Sequence, residues 1–251
     1  MKCSRKAIMW IALALCLICA VLLALALHSR AEHAKPASKD PEGAIAAQED
    51  EDRTVDVPVD FAAWQERNPD VYAWIEYPGT NVDYPIVQSA EDDAYYLRRD
   101  IDGKEAVAGS LYTEHTYNSK TFDDPVTVIY GHNMANRTMF GGLQSHIEAA
   151  DLAGTEEYFY VYLPGRILTY RVVGGAPGDD AHILYYNDFS DPTGFSNYFG
   201  NLYAQSGGHV NLPGLLRPSP DDRVVILATC MNGEKYLRYL IIGVLTDDTG
   251  N

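Results

Sequence analysis

Of the four cysteines in this chain, Cys3, Cys16 and Cys19 fall within the first 27 residues and Cys230 stands alone beyond them. Cys230 ends the run Arg223-Val224-Val225-Ile226-Leu227-Ala228-Thr229-Cys230, which is apolar and β-branched as a buried strand is. The body of the chain offers it no disulfide partner. A thiol so placed is either a small buried hydrophobe or a nucleophile, and two other residues favour the nucleophile. His132 follows the β-branched run Val126-Thr127-Val128-Ile129-Tyr130, with only Gly131 between them. Strand ends and the loops after them are where rigid scaffolds present reactive groups. Arg238 lies in the strand-like run after Cys230, and the linker Met231-Asn232-Gly233-Glu234-Lys235 is short enough for a hairpin that returns the guanidinium to the thiol. Alternation puts Tyr236, Arg238, Leu240 and Ile242 on one face. An arginine on such a face is costly without something to bind.

Together the three types suit acyl transfer. A thiolate attacks an amide carbonyl, and an imidazole assists it and then protonates the leaving amine. A permanently charged guanidinium with fixed donors suits the oxyanion of the tetrahedral intermediate. Of the other histidines, His28 and His33 sit in or beside a polar N-terminal stretch. His115, His146, His182 and His209 have no comparable strand-end setting and are expected to have surface or packing roles. No His, Cys and carboxylate cluster has metal-ligand spacing and no glycine-rich phosphate loop occurs, so no metal or organic cofactor is expected.

The elements that must hold these residues read as mostly β. Asp60 caps a short helix with Phe61 and Trp64 on its apolar side, ended by Asn68-Pro69. Strands are expected at Val71 to Ile75, Tyr84 to Val87, Ser110 to Tyr112, Val126 to Tyr130, Val224 to Thr229 and Tyr236 to Leu245. Tyr158 to Leu163 and Ile167 to Val173 flank Pro164-Gly165-Arg166 as a hairpin. One or two helical turns are expected over Asp92 to Arg98, and a helix over Met139 to Glu148. Phe195, Tyr198, Phe199, Leu202 and Tyr203 have the spacing of an amphipathic helix, an aromatic stripe suited to packing. The pattern predicts a mostly antiparallel barrel or closed sheet with peripheral helices.

The 251 residues carry a net charge of −16, which argues against a nucleic-acid surface. All 35 acidic residues but only 15 of the 19 basic ones follow Arg30, so the body carries about −20. Such a body is repelled by anionic lipid. Membrane contact is expected instead from Ala7 to Leu27, 21 residues without a charge. As a helix they span roughly 30 Å, one hydrocarbon core. Lys2, Arg5 and Lys6 precede the span, which keeps the N-terminus cytoplasmic and the rest outside. The small-x-small sequence Ala24-Leu25-Ala26 leaves open a cleaved signal peptide, although the apolar run exceeds the usual signal core. The expected organisation is a cytoplasmic N-terminus at 1–6, a transmembrane anchor at 7–27, a flexible linker at 28–55 and an extracellular domain at 56–251.

Tyr130-Gly131-His132-Asn133-Met134, followed by Met139-Phe140-Gly141-Gly142-Leu143, then Leu227-Ala228-Thr229-Cys230 and Arg238, resembles the class B sortases. The resemblance runs from about Asp70 to Leu245. The helix between two late strands, the short first helix and the N-terminal anchor match as well. The resemblance implies an eight-stranded sortase-type β-barrel in a membrane-anchored cysteine transpeptidase of Gram-positive bacteria. It implies that Cys230 attacks a threonine carbonyl in the C-terminal sorting motif of a secreted protein and forms a thioester. The amine of a peptidoglycan precursor, or a pilin lysine, then releases the acyl group. His132 is implied as general acid and base, Arg238 as the substrate-positioning and oxyanion residue, and Thr229 as part of the pocket for the substrate threonine. Met231 stands where some members carry an acidic residue, and the Cys230 to Arg238 gap is short relative to some. Two other readings are a secreted cysteine peptidase acting by hydrolysis, of which a papain-like form is disfavoured because His132 precedes Cys230 while hydrolysis by the same site stays open, and a membrane-tethered binding domain with an inert thiol.

Overall fold

The computed structural model describes residues 55–250. The expected N-terminus (1–6) and anchor (7–27), and all of the expected linker (28–55) but its last residue, lie outside the described residues. Among the described residues no helix is long and apolar enough to cross a membrane.

Eight strands close into a barrel in the order β1-β2-β3-β4-β7-β8-β6-β5. They are β1 (Val71–Tyr77), β2 (Val82–Val87), β3 (Leu111–Tyr112), β4 (Val126–Tyr130), β5 (Tyr158–Leu163), β6 (Arg166–Asp179), β7 (Val224–Cys230) and β8 (Leu237–Asp248). Pairing is antiparallel except at two seams, β2 with β3 and β4 with β7. The expected closed, mostly antiparallel sheet is therefore present. The hairpin turn is as read: β5 and β6 are joined by Pro164 and Gly165, with Gly165 at φ 71. That is a left-handed conformation glycine adopts without strain.

Among the described residues four α-helices surround the barrel: α1 (Phe61–Arg67), α2 (Leu143–Ala149), α3 (Ile183–Tyr186) and α4 (Pro192–Tyr203). The Asp60 side chain accepts from the Ala63 N–H at 3.0 Å, as an N-cap does. α4 starts with Asp191 accepting from Thr193 and Gly194 N–H groups and with Pro192 in its first turn. The helix expected from Met139 begins only at Leu143, because Met139 (φ 55) and Gly142 (φ 94) hold the chain in the left-handed region just before it. Asp92 to Arg98 contains a 3-10 turn, Tyr95–Arg98.

Strand alternation sorts the core into two layers. Val225, Leu227, Tyr239 and Ile241 point into the barrel with Phe159, Tyr170 and Val172. Val224, Ile226, Ala228, Leu240 and Ile242 point outward beneath Phe189, Phe195, Phe199 and Leu202. Phe195 and Phe199 are fully buried. The aromatic stripe of α4 thus packs on the outside of the barrel, each such side chain stabilising the fold by roughly 1.5–3 kcal/mol.

Candidate active site

The parallel seam decides where the chemistry sits. Because β4 and β7 run the same way, with Tyr130 opposite Ala228, both strands end at the same rim. His132 leaves β4 there, and Cys230 ends β7. β8 returns antiparallel, with Cys230 opposite Arg238. Cys230 and Arg238 belong to the outward set of Ala228 and Leu240.

Cys230 is exposed, so it does not fill the core. Arg238 is partly buried. Among the described residues the only hydrogen bond of its guanidinium runs from Nη1 to the Leu237 carbonyl at 3.3 Å, and no carboxylate pairs with it. His132 Nε2 lies 2.7 Å from the Leu97 carbonyl, at the 3-10 turn. A carbonyl can only accept, so Nε2 carries the proton and Nδ1 is the basic nitrogen of the neutral ring. Among the described residues no hydrogen bond joins the Cys230 thiol to His132 or Arg238. Catalytic hydrogen bonds commonly tighten only with substrate in place.

His132, Cys230 and Arg238 line one cavity of about 380 Å³, with Leu97, Tyr112 and Tyr130 among the other wall residues. Thr229 also belongs to this wall, but it sits on the barrel side of β7. It is 2% exposed, and its hydroxyl has no hydrogen-bond partner. Gly131 lets the rim close. A Cβ there would collide with Leu111 and Phe140, so close packing rather than an unusual φ requires the glycine.

Three parts of the site escaped the sequence reading. The Leu97 carbonyl is backbone and leaves no side-chain signal. His182, expected in a surface or packing role, lines the cavity and pairs with buried Glu114, its Nε2 lying 3.1 Å from Oε1 and 3.0 Å from Oε2. His182 Nδ1 meanwhile accepts from the Tyr185 N–H at 3.1 Å, capping α3. The ring therefore fixes the wall segment Asp180 to Ile183 to Glu114, two residues after β3. Burial pushes the Glu114 carboxyl above the usual carboxylate range, with His182 opposing the shift. The third is Asn133, whose side-chain amide donates to the Cys230 carbonyl at 2.8 Å.

No protein-family profile matches the chain. Sortase B of Listeria monocytogenes is 30% identical over 174 residues, 68% of this chain and 67% of that protein. Among solved structures, a mutant form of Clostridium perfringens sortase B superposes with a TM-score of 0.63 at 24% identity, covering 74% of this chain and 86% of its own. A Staphylococcus aureus sortase B–substrate complex gives a TM-score of 0.62 at 18% identity, covering 74% of this chain and 84% of its own.

Proposed function

The chain belongs to the class B sortases, a family of cysteine transpeptidases, and we propose that it cleaves a C-terminal sorting motif with Cys230 as nucleophile. In this reading the Cys230 thiol passes its proton to Nδ1 of His132, the resulting thiolate attacks the threonine carbonyl of the motif, and Arg238 donates to the oxyanion that develops. Collapse expels the amine of the next residue, which takes a proton from His132, and leaves a thioester on Sγ. An acceptor amine then attacks the thioester carbonyl, passes its proton to His132, and Sγ departs as thiolate. Peptidoglycan-precursor amine and pilin lysine are the two acceptor classes. Thr229 helps shape the wall that meets the substrate threonine.

The observation that carries this reading is that an exposed thiol, an imidazole and an unpaired guanidinium line one cavity of about 380 Å³. A solved relative in complex with substrate adds support for sorting-signal proteins as clients. The uncharged run 7–27 supports a single membrane anchor with the catalytic domain outside, tethered by 28–55.

The test is turnover of sorting-signal peptides by Cys230→Ala and His132→Ala proteins whose folding is checked by circular dichroism. Cys230→Ala is expected to be inactive and His132→Ala to lose orders of magnitude in kcat/KM, both folded. Wild-type cleavage by folded Cys230→Ala would remove the proposal.

A further inference from the structure

The loop carrying His132 and the strand end carrying Cys230 are joined by one side chain. Backbone pairing between β4 and β7 finishes with the Gly131 N–H to Ala228 carbonyl bond at 3.1 Å. Beyond it, Asn133 continues the connection. Its Nδ2 donates to the Cys230 carbonyl at 2.8 Å and to Asn232 Oδ1 at 2.8 Å. The amide orientation follows from the chemistry, since the Cys230 carbonyl can only accept. Asn232 is held in turn: its N–H donates to Gln144 Oε1 at 3.0 Å, and Gln144 Nε2 donates to Glu148 Oε1 at 2.8 Å. Gln144 is 3% exposed on α2, whose Leu143 and Ile147 are packed in the barrel core. The turn after the nucleophile and the loop after β4 are therefore both referred to one rigid helix.

We infer that Asn133 is a positioning residue for transpeptidation, a role that rests on the assignment of Cys230 and His132 above. Asn133 is the neighbour of His132 in sequence and bonds to the carbonyl of Cys230 itself. Both amide hydrogens are used, so the side chain sets how far apart the loop and the strand end stand. The Leu97 carbonyl fixes the ring of His132, and Asn133 fixes the backbone that carries it. A displacement of about 1 Å between reacting groups is enough to cost roughly 100-fold in rate. Losing the clamp should slow the chemical step without altering the walls that bind peptide.

The experiment compares Asn133→Ala, Asn133→Asp and Asn232→Ala in sorting-peptide cleavage, with thermal unfolding of each protein. Aspartate keeps the size and shape but has no hydrogens to donate when ionised. A space-filling role predicts that Asn133→Asp behaves as the parent. The clamp predicts that Asn133→Ala and Asn133→Asp each lose at least about tenfold in kcat with KM within about threefold, in samples that are folded. Asn232→Ala, which leaves the Cys230 bond in place, should lose less. A parent-like kcat in folded Asn133→Asp would overturn the inference, as would losses that merely track the unfolded fraction across the three variants. Cys230→Ala in the same assay separates the two claims. If it is inactive while Asn133→Asp is parent-like, only the clamp fails, whereas an active Cys230→Ala protein defeats the underlying assignment.

Discussion

Cys230 and Arg238 stand directly opposite each other across the β7–β8 ladder. Directly opposed residues have Cβ atoms about 4.5–5.5 Å apart and project from the same face. The spacing between the thiol and the root of the guanidinium is thus fixed by the sheet and not by a loop. Asp179 and Gly178 of β6 continue the ladder on the far side of Leu237 and Arg238. The arginine is held between two paired strands.

For Arg238 the fork should matter as well as the charge. Arg238→Lys keeps a cation at this position but loses the fixed planar donors. It is expected to retain the fold and lower kcat by about 10²–10³, the usual loss for a missing oxyanion donor. Steady-state cleavage of a sorting peptide checks this, and a Lys variant within threefold of the parent would show that charge alone suffices.

At Gly131 the constraint is space. Gly131→Ala forces a methyl against Leu111 and Phe140, both fully or almost fully buried. Overpacking of this kind costs about 1–3 kcal/mol. Urea unfolding should show a lower midpoint with an unchanged slope, and an unshifted midpoint would mean that the two neighbours can move aside.

His182 ties the Asp180 to Ile183 wall to Glu114 and caps α3 with its other nitrogen. His182→Ala removes both bonds and should loosen a cavity wall while leaving Cys230, His132 and Arg238 in place. A rise of about tenfold in KM, the size of one lost charge-assisted hydrogen bond, with kcat within about threefold is the expected split. Loss confined to kcat would assign His182 to the chemistry instead.

Acid should weaken the barrel through Asp248. Hydrogen bonds from Arg166, opposed by burial and joined by Arg223, hold its carboxyl well below the usual carboxylate range. Its folded-state affinity for a proton is lower than in the unfolded chain. The stabilisation is therefore fully present above about pH 4, the unfolded value, and is lost as pH falls toward the folded one. Asp248→Asn should be less stable than the parent at pH 7 and lose less stability between pH 5 and pH 3. Parallel stability curves for the two proteins would contradict this.

Much of the barrel could be read along the chain because its strands advertise themselves. The runs ending at Tyr130 and Cys230, the Pro164-Gly165 turn and the α4 stripe are local patterns. The parallel seam between β4 and β7 is not local, since nothing in Val126 to Tyr130 names Val224 to Cys230 as its partner. β6 was legible only to Val173. It continues through Gly174, Gly175, Pro177 and Gly178, residues that ordinarily mark breaks. Side chains at Gly174 and Gly175 would meet Leu212 and Ile147. The strand persists there because neighbouring segments pass close by. In the site, Cys230, His132 and Arg238 were visible as types at strand ends. Leu97 acts through its backbone, and Asn133 and His182 act through partners 97 and 68 positions away in sequence. Those contacts exist only once the barrel has closed.

The most direct measurement is the intact mass of the protein after mixing with a library of sorting-signal peptides in the absence of an acceptor amine, quenched in acid. The account predicts an adduct equal to the peptide up to and including its threonine, less one water, mapped to Cys230 and discharged by added amine. An adduct on another residue, or amine-dependent product with no thioester ever detectable on Cys230, would contradict it.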